Sequence, residues 1–287
     1  MKNHRKNYIE DFILMTPSFV LVFSITAYVL VNTFVESLGI IPELFLREVS
    51  FDHFRKLFAD GIFVEGMVFS LKIASLSGFL STLAGVYLAY ELAKGSHSKK
   101  VLWYRYPIIL SYIAAALLIY NTYSTRGLLY HILLLFGVDV GGLEIIYASS
   151  GLAVVLLNLF KGIPFVAFSV YPIFVKVDGK YRETARNLGC SRSSYVYRIL
   201  LPMAKHAILT SFLILFNYNL FSYEGFYFLG PSRPFSVGVM AYNAYIHPDL
   251  SMRPYAMAIN FVMMLISLLL CLVFYKSLKG SKKGGDL

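Results

Sequence analysis

The chain has 287 residues, of which 57% are hydrophobic and 15% are charged, whereas soluble domains carry about 25% charged residues. The mean hydropathy is +0.64, and the chain contains 24 Phe and 22 Tyr residues. A core of this size cannot bury so much apolar surface, so lipid must cover part of it. The composition excludes a water-soluble globule, a disordered chain and a fibrous protein. It predicts an all-α polytopic membrane protein.

Six apolar stretches follow one another along the chain, each long enough for a membrane-spanning helix of about 20 residues. The first begins after a basic N-terminal segment and is longer than the core of a signal peptide. No small-residue cleavage site follows it, so we expect a retained span. We predict six transmembrane helices in a single transmembrane domain covering residues 1–287. The apolar stretches fall at about 12–35, 66–90, 103–121, 146–175, 206–223 and 255–276.

The formal charge of +10 is distributed unevenly between alternate loops. Of the 26 Lys and Arg residues, 18 lie in segments 1–11, 91–106, 174–205 and 276–287. The intervening segments hold 6, and they comprise 36–65, 122–145 and 224–254. Because positively charged loops stay on the cytoplasmic side, both termini are predicted to be cytoplasmic. The basic balance therefore indicates membrane topology and not a nucleic-acid partner.

Two short segments on the opposite, outer side are predicted to be helical without spanning the membrane. The ten residues from Gly127 to Phe136 are too few to span and are followed by Gly137, so we expect a re-entrant or interfacial helix there. After Ser50, large apolar side chains recur at helical spacing, which is typical of an amphipathic helix at the membrane surface. These side chains are Phe51, Phe54, Leu57 and Phe58.

The basic segment 174–205 begins with the pattern of a short cytoplasmic helix. Asp178 is placed to cap a helix running from about Gly179 to Leu188. Gly189 follows directly and suits the left-handed position after a helix end, where a residue without Cβ is favoured. The sequence therefore predicts a helix followed by a glycine elbow.

A second short helix is predicted beyond this elbow. Ser191 or Ser193 can cap it, and it should end near Leu200. Pro202 fits the first turn of the element that follows, where its missing amide hydrogen has no cost. The whole segment is expected to project into the cytoplasm between the fourth and fifth spans.

This segment resembles the cytoplasmic EAA motif of permeases in binding-protein-dependent ABC importers, E-A-A-x3-G-x9-I-x-L-P. Six of the seven motif positions match with both spacers, and a small Thr replaces the first alanine. The resemblance extends from about residue 66 to 276, and segments 157–165 and 242–259 are similar to polyamine-type permeases. The residues aligned with the motif are Glu183, Thr184, Ala185, Gly189, Ile199, Leu201 and Pro202.

The resemblance implies the fold and the partners of a type I ABC importer permease. Residues 174–205 would form a coupling loop in which the aligned residues make or shape the contact with a separate ATPase subunit. Two ATPase copies, a second permease that is identical or homologous, and an extracytoplasmic solute-binding protein would complete the importer. Such importers lie in the inner membrane of bacteria or archaea.

No enzymatic role is expected for the chain itself. It lacks the G-x4-G-K-[ST] phosphate loop, so ATP and Mg would bind the partner ATPase. No metal or other cofactor is expected in this chain, because its six histidines are scattered rather than grouped at ligand spacing. A membrane-embedded enzyme would need clustered catalytic side chains, and we find none in the sequence.

The resemblance also implies a class of solute and a mechanism. We expect a small hydrophilic solute, such as a polyamine, thiamine, a phosphonate or another oxyanion, carried into the cytoplasm by alternating access. A sugar-type ABC importer is the alternative within the family. A secondary transporter that works without ATP is a second alternative, and such proteins often contain inverted repeats, which we do not detect here.

Polar residues inside the spans are candidates for the solute pathway, although neighbouring helices satisfy most such groups. Lys161 lies mid-span, three residues before Pro164, and could contribute to a gate or pair with a carbonyl or carboxylate. Asn217 and Glu224, seven residues apart, are predicted to share a helical face. Lys72 is expected to snorkel to the outer interface rather than contact solute. Further pathway candidates are Tyr223, Asn158, Tyr120 and Asn121.

The pathway residues leave the charge of the solute open. Asn217 could instead make an interhelical hydrogen bond, and Glu224 could be an interfacial carboxylate. A pathway that contains Glu224 would favour a cationic solute, whereas one that contains Lys161 would favour an anionic solute, since opposite charges attract.

Overall fold

The computed structural model describes residues 2–42, 49–59, 61–94, 98–138 and 144–283, and these residues are mostly helical. The predicted all-α fold class is confirmed. The predicted domain 1–287, and the segments 36–65, 91–106, 122–145 and 276–287, include residues outside the described ranges. In chain order the helices are α1 (Lys2–Ser37), α2 (Asp52–Ala59), α3 (Ile62–Lys94), α4 (Ser98–Ile109), α5 (Tyr112–Tyr123), α6 (Leu128–Leu135), α7 (Leu152–Asn187), α8 (Arg192–Tyr195), α9 (Leu201–Phe221), α10 (Glu224–Leu229), α11 (Val237–Tyr245) and α12 (Arg253–Lys283).

Five helical segments of the described chain are long and apolar enough to cross a membrane, and a broken pair raises the number to six if it counts as one span. The prediction of one continuous helix over 103–121 is wrong. The chain bends by 111° between Trp103–Ile109 and the segment that begins at Tyr112. A new helix begins there because the Ser111 side chain accepts a hydrogen bond from the Ala114 amide and caps α5. We call residues 107–112 the α4–α5 corner.

The chain divides into two units, of which one comprises residues 1–61 and 241–265. In this unit the ring of Phe261 lies 4.9 Å from that of Phe34 and 6.1 Å from that of Phe54, measured between centroids. Helix α2 matches the predicted short amphipathic helix, with Leu57 buried and Phe58 exposed. Two aromatic contacts and one buried leucine thus hold this unit's own elements together.

The other unit comprises residues 62–240 and 266–287, and α3, α7 and α9 pack together at its centre. Small residues let α3 and α7 approach closely. A Cβ added at Gly85 would lie 2.6 Å from the Cβ of Val166, and one added at Gly162 would lie 2.6 Å from the Ser81 Oγ. The buried small residues of α3 are Gly66, Ser70, Ala74, Ser77, Gly78, Ser81, Gly85 and Ala89.

The same unit contains the short helix predicted between Gly127 and Phe136. It appears as α6, which ends before Gly137 with a φ of +77°. Glycine adopts this left-handed conformation without the steric cost of a Cβ. The predicted helix boundaries are therefore confirmed here to within one residue.

Helix α7 is continuous over Leu152–Asn187, so it contains both the fourth span and the start of the predicted coupling loop. The prediction that Asp178 caps a separate helix is wrong. Asp178 lies within α7, and its Oδ2 accepts a hydrogen bond from Arg182 Nη1 at 2.9 Å, one helical turn later. The helix continues because Gly179 alone does not interrupt its hydrogen bonds and this i,i+4 pair supports it.

Candidate functional site

The elbow between α7 and α8 has the geometry predicted for Gly189. The Cys190 amide donates to the Ala185 carbonyl at 2.9 Å, and the Gly189 amide donates to the Arg186 carbonyl at 3.0 Å. Gly189 has a φ of +76°. These two hydrogen bonds and the left-handed glycine form a Schellman motif, which satisfies the last carbonyls of α7.

The second helix begins as predicted but does not end near Leu200. The Ser191 side chain accepts a hydrogen bond from the Ser194 amide at 3.3 Å and caps α8. A π-helical turn over Val196–Leu200 then leads directly into α9, so one helix runs from Arg192 to Phe221. Pro202 lies within this helix and has no amide hydrogen to donate. The wider π-helical turn precedes it, which lets the helix continue past the proline.

The motif residues differ in exposure around the elbow. Ala185 is buried, and Leu188 at the end of α7 is 82% exposed. A Cβ added at Gly189 would meet nothing within 4 Å, so the elbow backbone is open to another surface. Of the other aligned residues, Glu183, Thr184 and Pro202 are exposed, and Ile199 and Leu201 are partly buried.

A polar contact links α8 to the end of α3. Arg192 Nε donates a hydrogen bond to the Tyr90 hydroxyl at 3.0 Å. Lys94 Nζ lies 3.8 Å from the centroid of the same ring, within the range of a cation–π interaction. The elbow is thus tied to α3 as well as to α7.

A buried hydrogen-bond network joins the helices at the centre of this unit. Ser77 Oγ on α3 accepts hydrogen bonds from Asn158 Nδ2 at 3.3 Å and from Asn219 Nδ2 at 3.0 Å. The same hydroxyl donates to the Ile73 carbonyl at 2.6 Å. The Tyr112 hydroxyl of α5 donates to Asn158 Oδ1. One serine hydroxyl, with one proton and two lone pairs, therefore uses its full capacity to hold α7 and α9 against α3.

Lys161 of α7 binds the α4–α5 corner. Its ammonium donates to the carbonyls of Pro107 at 2.9 Å and Ile108 at 3.3 Å, and also to that of Leu110. These carbonyls lie where α4 ends, so helical hydrogen bonding leaves them without partners. The ammonium also stabilises the negative end of the helix dipole. Of the alternatives for Lys161, pairing with carbonyls is the one that the structure shows.

Asn158 and Lys161 meet at a pocket of about 370 Å³, and Tyr112, Tyr218 and Asn219 join them there. The rings of Tyr112 and Tyr218 contact edge to face, with 5.5 Å between centroids. The pocket therefore combines aromatic walls with amide, hydroxyl and ammonium groups. The remaining lining residues are Ile108, Gly162, Phe165, Ile214 and Leu215.

The structure does not bring Asn217 and Glu224 together on one helical face, so that prediction is wrong. Helix α9 ends at Phe221, and Glu224 begins α10 after an extended residue at Ser222. Asn217 lines a different pocket of about 470 Å³, between α9 and α12. Its Oδ1 is buried and has no hydrogen-bond partner among the described residues.

The other pathway candidates lie apart from the 370 Å³ pocket's lining. The Tyr223 ring lies 5.0 Å from that of Tyr227, between centroids. Tyr120 faces Tyr147 at 6.4 Å, and Asn121 is exposed beside it. Tyr120 and Asn121 lie eight and nine residues beyond Tyr112 in α5, about 12 Å along the helix from the residue that contacts Asn158.

Sequence reasoning did not select Ser77, Tyr112 or Tyr218. A signal for Ser77 exists, since small residues recur at helical spacing along α3 and indicate a close helix contact. Tyr112 and Tyr218 carry no such signal, because tyrosine is abundant throughout the chain. Only the folded chain shows which tyrosines reach the pocket.

Comparison with known proteins agrees with this architecture. The spermidine/putrescine transport system permease protein PotB of Escherichia coli is 26% identical over 206 residues, which cover 68% of this chain and 74% of that protein. The sulfate transport system permease protein CysT of Synechococcus elongatus is 29% identical over 136 residues, or 46% of this chain and 45% of that protein. A bacterial ABC transporter involved in alginate import has the same fold, with a TM-score of 0.73, 17% identity and 95% coverage of both chains.

The helical fold and its apolar spans define a polytopic membrane permease. The family model described as binding-protein-dependent transport system inner membrane component matches residues 8–281. The chain belongs to this family and is the permease subunit of an ABC importer. The predicted resemblance to polyamine permeases and the multi-pass inner-membrane location are confirmed. The secondary-transporter and enzyme alternatives do not fit this membership.

The buried hydrogen-bond network predicts that removal of the Ser77 hydroxyl lowers the stability of the folded protein. Ser77→Ala leaves the amides of Asn158 and Asn219 without their acceptor, so we expect a loss of about 1–2 kcal/mol in stability. The measurement is the unfolding temperature of the detergent-solubilised protein. Ser75→Ala, at an exposed position of the same helix, is the matched control and should leave that temperature unchanged. Equal unfolding temperatures for the two variants would contradict the network's role.

Proposed function

We propose that this chain, paired with a second permease, carries a small hydrophilic solute from an extracytoplasmic binding protein into the cytoplasm. Two ATPase subunits drive the cycle from the cytoplasmic side. The observation that carries this proposal is the elbow, where the aligned motif residues surround a Schellman turn at the end of a long helix. The family membership supplies the context.

We place the elbow on the cytoplasmic side. The distribution of Lys and Arg supports this orientation, since segment 174–205 holds 7 of the 26. Both chain ends then lie in the cytoplasm. The exposed Glu183, Thr184 and Gly189 would contact the ATPase, and the buried Ala185 would shape the elbow that presents them.

The mechanism follows from two states of the assembly. ATP binding closes the ATPase pair, and the two elbows move towards each other with the subunits that hold them. The permease cores then open outward and receive solute from the docked binding protein. Hydrolysis separates the ATPases and returns the pathway to the cytoplasm.

The solute is a polyamine, thiamine, a phosphonate or another oxyanion. Relatives named for spermidine and putrescine and for sulfate support this range. The 370 Å³ pocket has the size of a small-molecule site. Its size and its aromatic walls suit a small solute better than a long polymer.

The proposal predicts the composition of the native complex. The tagged chain, purified in mild detergent from its own membrane, should retain an ATPase that contains the G-x4-G-K-[ST] motif, together with a second permease copy or homologue. Mass spectrometry identifies these subunits. Recovery of the chain alone, with solute uptake in vesicles that contain no ATP, would refute the proposal.

The proposed topology predicts that the elbow is accessible to reagents only from the cytoplasmic side of the membrane. In a Cys271→Ser variant, Cys190 at the elbow should react with a membrane-impermeant maleimide only after the cells are permeabilised. The matched control is Ser232→Cys in a chain from which Cys190 and Cys271 have both been removed. Ser232 is exposed in the predicted outer segment 224–254, so this cysteine should react in intact spheroplasts. Labelling of Cys190 in intact spheroplasts would reverse the assigned topology.

The docking role of the elbow predicts the effect of a charge at Gly189. Aspartate enters the left-handed conformation at a cost of about 1 kcal/mol, and its Cβ would meet nothing within 4 Å. Gly189→Asp should therefore leave the membrane level unchanged but lower the co-purified ATPase at least tenfold, because the carboxylate would lie in the contact. Gly179→Asp adds the same charge at another open position in α7 and should retain the ATPase. Equal retention by both variants would exclude the elbow as the docking site.

A further inference from the structure

We propose that Asn158 and Lys161 clamp the α4–α5 corner to α7, so that the corner moves with the helix that carries the elbow. This inference rests on the proposed function, in which the elbow receives the movement of the ATPase. The clamp makes the two side chains positioning residues for transport. It assigns them a role in passing the movement to the pocket, in place of direct recognition of solute.

Lys161 holds the end of α4. Its three ammonium hydrogens match three carbonyl acceptors, those of Pro107, Ile108 and Leu110. Helical hydrogen bonding leaves these carbonyls without other backbone partners. Separation of α4 from α7 would therefore break three charge-assisted hydrogen bonds at once, and the two segments are expected to move together.

Asn158 holds the start of α5. The Tyr112 hydroxyl donates to its Oδ1, and Tyr112 is the last residue of the corner and the first of α5. Asn158 and Lys161 are three residues apart in α7, so they lie on neighbouring positions of one helical face. The two side chains thus hydrogen-bond to both sides of the corner from one turn of α7.

The same helix leads to the elbow and stays helical past Pro164 and Pro172, each of which removes one backbone hydrogen bond. Lys161 and Asn187 are both in α7, and 26 residues at 1.5 Å each separate them by about 40 Å along the helix. At the far end the Schellman turn joins α7 to the exposed motif residues. A displacement of the elbow therefore reaches the corner through one continuous helix.

The corner forms part of the wall of the 370 Å³ pocket. Ile108 and Tyr112 lie on the corner and line the pocket, as do Asn158 and Lys161 on α7. The opposite wall comes from α9, through Ile214 and Tyr218. Movement of α7 with the clamped corner would change the width of the pocket between these walls.

The clamp is tested by changing Lys161 in the complete importer. Lys161→Met keeps the length of the side chain but leaves the three carbonyls without a donor. Lys161→Arg supplies donors again and should rescue coupling. Lys72→Met is the matched control, since Lys72 is the other lysine inside the predicted spans and its side chain is exposed on α3.

The first readout is the distance across the pocket and needs no solute. Spin labels replace Ile109 at the end of α4 and Ile214 on α9, both of them exposed, in a chain without its native cysteines. In the reconstituted complex, addition of ATP with vanadate should change the distance between the labels by several ångströms in the labelled chain that retains Lys161. The same change is expected in Lys161→Arg. Lys161→Met should lose most of this shift while it retains the ATPase subunits.

The second readout compares ATP hydrolysis with uptake of spermidine, putrescine and sulfate, the solutes named for relatives, supplied with the co-purified binding protein. Lys161→Met should hydrolyse ATP but transport at least tenfold less solute per ATP. A purely structural role would instead lower assembly, hydrolysis and transport together, which would overturn the clamp. An unchanged distance shift in Lys161→Met would overturn it as well. If the parent chain itself binds no ATPase, the proposed function fails, which is a different result.

Discussion

A polypeptide in lipid must satisfy its own backbone hydrogen bonds, and this constraint is most severe where a helix ends inside the membrane. Helix α4 ends within a broken apolar segment, where Ser111 caps a new helix after a bend of 111°. The freed carbonyls at Pro107, Ile108 and Leu110 take their donors from Lys161 on α7. A lysine inside a span and a broken helix are each costly alone, and here the lysine supplies the hydrogen-bond donors that the broken helix lacks.

This arrangement depends in turn on how closely α7 lies against α3. Gly85 and Gly162 leave no room for a Cβ at the contact, so the two backbones approach to a distance that larger residues would prevent. At that distance Ser77 reaches the amides of Asn158 and Asn219. The small residues of α3 therefore position the polar side chains that reach the pocket.

Helix α7 lines the pocket and ends at the elbow. A movement of the elbow can therefore be transmitted to the pocket through this helix. The chain belongs to a family of importer components and carries no phosphate loop of its own. In the proposed cycle it receives movement at the Schellman turn and passes it along α7. The left-handed Gly189 ends that helix without strain, which leaves the elbow exposed for a partner.

The properties of neighbouring residues in the sequence were sufficient to predict the class of protein, the glycine elbow and the motif around it. Apolar length, the conformational freedom of Gly189 and the capping oxygen of Ser191 act within a few residues, so the printed sequence reveals them. It also pointed to Lys161 and Asn158 as polar groups inside a span, although it left their partners open.

The tertiary structure decided which of these polar groups act together. Helix α7 continues through Gly179 because Phe174, Val177 and Ala185 on either side of it are buried, and a local pattern of caps does not show such burial. Asn217 and Glu224 are separated because the chain leaves the helix at Ser222, which spacing along the sequence cannot reveal. Tyr112 and Lys161 are 49 residues apart, and they meet only because α7 packs against both sides of the α4–α5 corner. Contacts between distant segments depend on the whole arrangement of helices, so no window of sequence contains them.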